Sequence, residues 1–254
     1  MEPNNSEVNQ WFLSWFNSPY YHILYKNRNQ DEARDFMALL MRQLQVPKDA
    51  MLLDLACGKG RHALELHRLG YEVVGIDIAE ESITEAKKLE EPGLDFFEHD
   101  MRQLYWAEHF DAVLNLFTSF GYFHNKDDDQ CTINAVRDAL KPNGLFVLDF
   151  LNVIKVLELM VSAEEKVIDG VRFVITRELQ ANTIKKNIRV HDGDTELLFT
   201  EEVDALVLAD FEAYFEQAGM QLEATYGNYA LDAFDQATSD RLIMVTRKTQ
   251  QWEI

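Results

Sequence analysis

The residues best suited to chemistry form a glycine loop between two regular elements. The run Leu-Asp-Leu-Ala-Cys-Gly-Lys-Gly at 53–60 follows a buried apolar stretch and precedes a helical one. Glycine lets the backbone bend sharply and lets a ligand approach the main chain closely. The first amides of a helix have no intrahelical acceptor. Strand, glycine loop and helix, in this order, predict the first half of a nucleotide-type site at the carboxyl edge of a parallel sheet.

Acidic side chains follow the next two predicted strands. Asp77 ends the second strand, where its carboxylate can accept hydrogen bonds from both hydroxyls of a ribose. It lies 17 residues after Gly60, near the spacing of about 20 in nucleotide-binding fingerprints. His99-Asp100-Met101 follows the third strand, where a side chain and a backbone amide can hold an adenine edge. The segment 115–122 follows the fourth strand and is expected to close over a ligand at the sheet edge.

The glycine loop alone leaves the ligand open. Gly58-x-Gly60-x-x-Ala63 also fits the dinucleotide pattern, so a nicotinamide-dependent oxidoreductase is a rival interpretation. Three features disfavour it: Asp54, which is placed to support the loop; Asp100 after the third strand; and a C-terminus that reads as helix, strand, strand. The last feature suits a reversed final strand better than a second nucleotide-binding half.

The elements that must position these residues alternate between strand and helix. Apolar strands separated by helices predict a parallel sheet covered on both faces. The predicted strands are 51–55, 71–77, 94–97, 110–117, 145–150, 220–226 and 241–247, and the helices are 31–44, 61–69, 80–89, 130–140 and 208–218. Between 163 and 204 the pattern changes to successive strands joined by hairpin turns such as Asp169-Gly170, which predicts an antiparallel insertion.

The N-terminal segment is helical and rich in aromatic residues. Trp11, Phe12, Trp15 and Phe16 fall on one helix face, and Ser18-Pro19 breaks the pattern. Such a face is more typical of core packing or of a docked helix than of a substrate cage.

Together these motifs resemble the class I S-adenosylmethionine-dependent methyltransferase family. The resemblance is carried by 53–60, Asp77, Asp100-Met101, 110–113 and 140–144. It covers 50–152 motif by motif, and the C-terminal helix and strand pair more loosely. It implies an α/β fold with a doubly wound, mostly parallel, seven-stranded Rossmann-like sheet whose last strand is antiparallel.

The resemblance also implies a domain organisation. A helical cap over 1–46 is expected to cover the cofactor. The Rossmann-like core takes 47–162 and 205–254, and the antiparallel insertion takes 163–204. Small-molecule methyltransferases of the family place a comparable small sheet over the active site, so the insertion is expected to be a lid or a dimer surface.

S-adenosylmethionine is the cofactor that the resemblance implies. The glycine loop would hold its methionine part, Asp77 its ribose hydroxyls, and Asp100 with Met101 its adenine. Ile78 would flank the adenine, and Leu116 would line the other side of the cofactor. The implied cofactor-binding residues are Asp54, Ala56, Gly58, Gly60, Asp77, Ile78, Asp100, Met101 and Leu116. The family has no universal catalytic residue, so none is transferred.

Candidates for catalysis and substrate binding come from position alone. The sulfonium methyl is already electrophilic, so the protein mainly aligns a nucleophile and excludes water. A base is needed only where the nucleophile carries a proton at neutral pH. The candidates for such a base are Tyr122, His124 and His22, and those for substrate contact are Tyr20, Tyr25, Arg28 and Tyr122.

The composition of the chain excludes some classes of binding partner. The chain has 254 residues, of which 47% are hydrophobic, and 24 basic against 44 acidic residues give a net charge of −20. Such a surface repels nucleic acid and anionic lipid. No metal is expected, because the histidines lack zinc-ligand spacing and His62, His67, His99 and His109 are expected to be solvated or capping residues. Two cysteines, Cys57 and Cys131, and the lack of a secretory signal predict a cytoplasmic protein.

The sequence therefore predicts methyl transfer from S-adenosylmethionine to a small molecule, by a monomer or homodimer. The alternatives are an NAD(P)-dependent oxidoreductase and a non-catalytic protein that binds S-adenosylmethionine.

Overall fold

The computed structural model describes residues 11–26 and 30–249 of the chain. These residues divide into two compact units. The insertion unit contains 11–26 and 160–204, and the core unit contains 30–159 and 205–249.

The core unit is built on a seven-stranded sheet. Its strands are β1 (Met51–Leu55), β2 (Glu72–Asp77), β3 (Leu94–Glu98), β4 (Phe110–Asn115), β5 (Leu140–Leu151), β10 (Met220–Tyr226) and β11 (Arg241–Lys248). They lie in the order β10-β11-β5-β4-β1-β2-β3. All neighbours from β5 to β3 are parallel, and β11 runs antiparallel to both β5 and β10. The predicted mostly parallel sheet with a reversed last strand is therefore confirmed.

Helices cover both faces of this sheet. The core-unit helices are α3 (Gln30–Leu44), α4 (Arg61–Arg68), α5 (Glu80–Ala86), α6 (Lys126–Ala139), α7 (Val153–Glu158) and α8 (Leu208–Ala218). Residues of α3, α4 and α5 join one buried apolar cluster with the strands, including Met37, Leu66 and Phe96. On α8, the Phe211 ring packs 5.1 Å from the ring of Phe150. No helix of the described residues is long and apolar enough to cross a membrane.

The insertion unit contains a four-stranded antiparallel sheet. Its strands β6 (Ala163–Ile168), β7 (Val171–Gln180), β8 (Thr183–Asp192) and β9 (Thr195–Asp204) pair in sequence order. On β7, Val171, Phe173 and Ile175 are buried and alternate with more exposed residues, as the sequence pattern predicts. Two short helices, α1 (Trp11–Phe16) and α2 (Pro19–Leu24), belong to the same unit. The Trp15 ring lies 4.7 Å from the ring of Phe199 on β9.

In the described part of the predicted 1–46 cap, α1 and α2 lie in the insertion unit and α3 lies in the core unit. The cap over the cofactor stays a prediction. Helix α3 belongs to the core unit because Phe36, Met37 and Leu40 pack into the cluster beneath the sheet. The role of the insertion as a lid or dimer surface stays a prediction.

Two local elements also differ from the predictions. Helix α6 begins at Lys126 rather than near 130, because the Asn125 side chain caps it by accepting the amide of Asp127. Residues 141–144 lie between the predicted helix 130–140 and the predicted strand 145–150, and in the structure they form a bulge within β5. Phe110 pairs with Leu140 and Ala112 pairs with Leu145, so these residues loop out beside the β4 strand.

Candidate functional site

The glycine loop lies where the carboxyl ends of three strands meet. In the register of the sheet, Leu55 of β1 pairs with both Ile76 of β2 and Asn115 of β4. The loop from Ala56 to Gly60 leaves this point and leads into α4. Ala56, Gly58 and Gly60 have φ values of 61°, 56° and 78°, so the chain bends through three left-handed residues.

The two loop glycines have different surroundings. A Cβ added at Gly60 would come within 2.5 Å of Cζ of Phe96, so only glycine lets α4 approach the sheet here. A Cβ added at Gly58 would meet no heavy atom within 4 Å. Gly58 therefore borders open space, as a residue that faces a ligand must, whereas Gly60 is required by packing.

Asp77, at the end of β2, is tied to the glycine loop. Its Oδ2 accepts the amide of Gly58 at 2.8 Å and its Oδ1 accepts the amide of Ala79 at 2.8 Å. Burial raises the pKa of Asp77, while the amides of Ala79, Gly58 and Ile78 oppose that rise. A carboxylate has about four lone-pair sites, so Asp77 keeps acceptor capacity for a further hydroxyl.

Asp54 stabilises the glycine loop through a hydrogen bond to the helix that follows the loop. Its side chain is buried in β1, and its Oδ2 accepts the amide of Ala63 in the first turn of α4 at 3.0 Å. Burial raises the pKa of Asp54 to about 7; the Ala63 amide and Arg61 lower it, and Asp77 raises it further. Asp54 thus fixes the angle at which α4 leaves the loop.

The raised pKa of Asp54 predicts a specific pH dependence of the free energy of unfolding. In the unfolded chain it titrates near the ordinary value of about 3.9, so its contribution to stability is complete below that pH and is lost as the pH rises through about 7. Asp54→Asn keeps an acceptor oxygen but cannot ionise. In urea unfolding from pH 5 to 8, we expect the stability of this variant relative to the native protein to rise up to about pH 7 and then to level off. A flat difference for Asp54→Asn would contradict the raised pKa.

The segment after β3 carries an ion pair that the sequence analysis did not include. Asp100 accepts Nε and Nη2 of Arg102, the latter at 2.6 Å, and its Oδ1 accepts the Arg102 amide. Burial of Asp100 disfavours its ionised form, but Arg102 outweighs this and lowers the pKa. The Arg102 guanidinium also lies 4.6 Å from the ring centroid of Phe123. Asp100 and the half-buried Met101 are thereby held beside the segment that follows β4.

The segment after β4 lies next to the glycine loop. Asn115 is fully buried, and its Nδ2 donates to the carbonyl oxygen of Leu55 at 3.0 Å. Leu116 is also buried. The Phe117 ring stacks 5.4 Å from the ring of His62 in α4. The strand ends, the glycine loop and this segment therefore surround one edge of the sheet, where a nucleotide-like ligand is expected.

Solved structures share this architecture. The crystal structure of an S-adenosylmethionine-dependent methyltransferase from Clostridium acetobutylicum ATCC 824 aligns with a TM-score of 0.77 and 20% identity, over 91% of this chain and 96% of that one. The S-adenosylmethionine-bound structure of CalS10, an amino pentose methyltransferase from Micromonospora echinaspora, aligns with a TM-score of 0.68 and 22% identity, over 91% and 98%. At such identities the likeness concerns the fold.

Proteins of similar sequence are also methyltransferases. The dTDP-3-amino-3,4,6-trideoxy-alpha-D-glucopyranose N,N-dimethyltransferase of Streptomyces venezuelae is 27% identical over 221 residues, which are 82% of this chain and 91% of that protein. Residues 52–144 match the family model described as a methyltransferase domain. Residues 52–144 therefore form a methyltransferase domain, and the protein is an S-adenosylmethionine-dependent methyltransferase. The recognition made from the sequence motifs is thus confirmed, and neither alternative function finds support.

The methyltransferase also contains a buried polar group that the sequence analysis missed. Asp149 at the end of β5 accepts Nε of Arg241 at 2.8 Å and the hydroxyl of Tyr229 at 3.1 Å. Burial and the Asp149 charge raise the pKa of Tyr229. An aspartate inside the apolar strand 145–150 was the available signal, because a buried carboxylate needs a partner. The sequence does not reveal that the partner is an arginine of the last strand.

His62 is not the solvated or capping histidine that the sequence analysis expected. Its side chain is buried, its ring stacks on Phe117, and its Nε2 lies 3.1 Å from Nη2 of Arg61. The expectation was wrong because α4 places this face of the helix against the segment after β4. Among residues 11–26 and 30–249, no group of three or more histidine, cysteine or acidic side chains is placed to hold a metal ion.

The candidates for catalysis and substrate contact fall in both units of the methyltransferase. In the core unit, the Tyr122 hydroxyl donates to the carbonyl oxygen of Thr118, and His124 is exposed just before α6. Both remain predictions. In the insertion unit, the Tyr20 hydroxyl donates to Asp192 at 3.1 Å.

The other insertion-unit candidates lie on or beside α2. His22 is half-buried beside the Tyr21 ring. The Tyr25 hydroxyl donates to Glu201, which also accepts Nε1 of Trp15 at 2.6 Å and Nζ of Lys186 at 3.0 Å. Tyr25 therefore belongs to a polar network within the unit. Arg28 lies outside the described residues.

Proposed function

We propose that this methyltransferase transfers the methyl group of S-adenosylmethionine to a small-molecule acceptor, and that the glycine loop and Asp77 hold the donor. The observation that carries the assignment is the bond between Asp77 and the Gly58 amide, beside the open space at Gly58. An acidic side chain and a ligand-facing glycine thus share one edge of the sheet, where parallel α/β folds bind nucleotides.

The donor fits the residues present at this edge. Asp77 has acceptor capacity for ribose hydroxyls, and a hydrogen bond to an ionised group contributes about 1.5–3 kcal/mol. We assign Ala56, Gly58 and Gly60 to the methionine part, and Asp100 with Met101 to the adenine. Leu116 and Ile78 supply apolar walls, since Leu116 is buried and Ile78 half-buried. Asp54 acts on the donor indirectly, through the angle of α4.

The bound donor supplies an electrophilic methyl group on a sulfonium. The protein's task is to orient the acceptor and to exclude water. An acceptor that carries a proton at neutral pH needs a base, for which Tyr122 and His124 are the core-unit candidates. The relative from Streptomyces venezuelae bears a name that specifies N,N-dimethylation of an amino sugar nucleotide. That activity supports a small-molecule acceptor here.

Charge supports the same class of acceptor. A net charge of −20 repels a phosphate backbone, so we propose no nucleic acid substrate. We also propose a cytoplasmic location, on the basis of the two separate cysteines.

Isothermal titration of the purified protein with S-adenosylmethionine tests the donor site. We expect saturable one-to-one binding, competition by S-adenosylhomocysteine, and no heat from NAD under the same conditions. Transfer of labelled methyl to a panel of small amines and hydroxyl compounds, with total RNA and DNA as comparison substrates, tests the acceptor class. Binding of NAD in place of S-adenosylmethionine would disprove the assignment, and label found in nucleic acid alone would disprove the acceptor class.

A further inference from the structure

A buried ion pair joins the ends of β5 and β11. The Asp149 side chain is 0% exposed and that of Arg241 is 19% exposed, with Nε and Oδ1 2.8 Å apart. In the register of the two strands Asp149 pairs with Ile243 and Arg241 pairs with Leu151, so the two side chains are diagonal neighbours on one face. Such a pair is costly to bury unless further hydrogen bonds satisfy it.

Those further bonds go to two successive residues after β4. Oδ2 of Asp149 accepts the amide of Phe117 at 2.9 Å, and the carbonyl oxygen of Asp149 accepts the amide of Thr118 at 3.0 Å. Nη2 of Arg241 donates to Oγ1 of Thr118 at 2.8 Å. The ion pair therefore holds both residues through main chain and side chain.

The backbone held in this way is one that its own residues disfavour. Phe117 has a φ of 63° and Thr118 a φ of 61°. Left-handed backbone is uncommon for residues other than glycine, and a β-branched residue such as threonine is an outlier there. Such strain persists only where the surrounding structure over-determines it, and the bonds to Asp149 and Arg241 meet that need.

The left-handed backbone of Phe117 and Thr118 determines where the Phe117 ring lies. The ring stacks on His62, the Arg61 guanidinium lies 4.6 Å from its centroid, and the ring of Tyr229 lies 5.5 Å away. Arg61 and His62 are the first residues of α4, directly after Gly60. The ring thus borders the proposed donor site.

We propose that Asp149 and Arg241 are positioning residues for methyl transfer, holding Phe117 and Thr118 in a left-handed conformation that keeps the Phe117 ring against the start of α4. The proposal rests on the donor site proposed above. Neither residue is assigned a contact with the reacting atoms. Since a prearranged wall lowers the cost of binding, release of the pair is expected to weaken donor binding.

Two kinds of variant test the ion pair itself and, independently, the contact of Arg241 with Thr118 in the segment after β4. Arg241→Lys keeps the charge but removes the guanidinium fork that bonds Asp149 and Thr118 together. Thr118→Val removes only the Oγ1 acceptor and keeps the β-branched shape. Thr118→Ser keeps the hydroxyl and serves as its comparison. Arg247→Lys is the matched control, because Arg247 lies on the same strand and pairs with Glu223 in an exposed ion pair.

Two quantities are measured for each variant: the dissociation constant for S-adenosylmethionine by calorimetry, and amide hydrogen exchange of 116–119 without added ligand. We expect Arg241→Lys and Thr118→Val to weaken binding about tenfold and to speed exchange by a similar factor, since both release a prearranged element. Thr118→Ser and Arg247→Lys should stay within about twofold of the native values.

The outcomes distinguish the positioning role from the donor assignment. Faster exchange with unchanged affinity in Thr118→Val overturns the positioning role even if Arg241→Lys fails to fold. Unchanged exchange in Thr118→Val overturns the anchoring itself. If the native protein does not bind S-adenosylmethionine, the donor-site assignment fails, and the positioning role fails with it, whatever the exchange rates.

Discussion

Asp77→Ala is expected to lower the affinity for S-adenosylmethionine by a factor of about 100, which corresponds to about 3 kcal/mol. The side chain has two roles, and the substitution removes both. We propose that its carboxylate accepts the ribose hydroxyls, and it also accepts the amides of Gly58 and Ala79. Without that acceptor the Gly58 amide loses the bond that ties the glycine loop to β2, so the loop must be ordered again when the donor binds.

Two further variants serve as comparisons for Asp77→Ala. Asp77→Asn keeps one acceptor oxygen but turns an NH₂ group toward an amide donor, so an intermediate loss is expected. Asp95→Ala removes a carboxylate of the same charge from an exposed position on β3 and should leave affinity unchanged. Titration calorimetry on all three, with circular dichroism to verify folding, measures the effect. A folded Asp77→Ala protein with native affinity would remove Asp77 from the donor site.

The glycine loop and Asp77 could be predicted because the rules that place them are local. A left-handed bend requires glycine at a few adjacent positions, and carboxyl ends of neighbouring parallel strands meet at one edge of the sheet. Strand and helix periodicity was sufficient to order β1, α4, β2 and β3 along the chain. The reversed β11 was inferred from the final helix, strand, strand pattern and from the resemblance.

The ion pair between Asp149 and Arg241 shows what local rules leave out. The two residues are 92 positions apart, and they meet only because β11 inserts between β5 and β10. Along the sequence, Asp149 is one carboxylate in an apolar strand, and Arg241 is one cation at the start of another. The same limit applies to His62, whose burial depends on Phe117, a residue of a different strand-to-helix connection.

The N-terminal aromatic face was predicted only in part. Its burial follows from helical spacing, and Trp11, Phe12 and Trp15 are buried. Its partner does not follow from spacing: Trp15 packs on Phe199 and donates to Glu201, both on the distant strand β9. A helix face indicates that something covers it, while the covering element is decided by long-range pairing.

The two loop glycines provide the second large effect, and they should separate stability from donor binding. In Gly60→Ala the new Cβ would lie 2.5 Å from Cζ of Phe96 on a backbone with a φ of 78°. Left-handed strain and overpacking together should lower the free energy of unfolding by about 2–4 kcal/mol. Phe96→Leu in the same chain should recover part of that loss by removing the ring edge.

Gly58→Ala is the matched substitution two residues earlier in the same loop. Its φ of 56° brings strain of about 1–2 kcal/mol, but its Cβ would meet no protein atom within 4 Å. That Cβ would instead enter the space proposed for the donor, so affinity should fall more in Gly58→Ala than stability does. Urea unfolding and calorimetry on both variants should therefore give opposite rankings: Gly60→Ala less stable, Gly58→Ala weaker in binding once corrected for the folded fraction. If the rankings agree, the open space at Gly58 is not the donor site, and the glycine loop has a structural role alone.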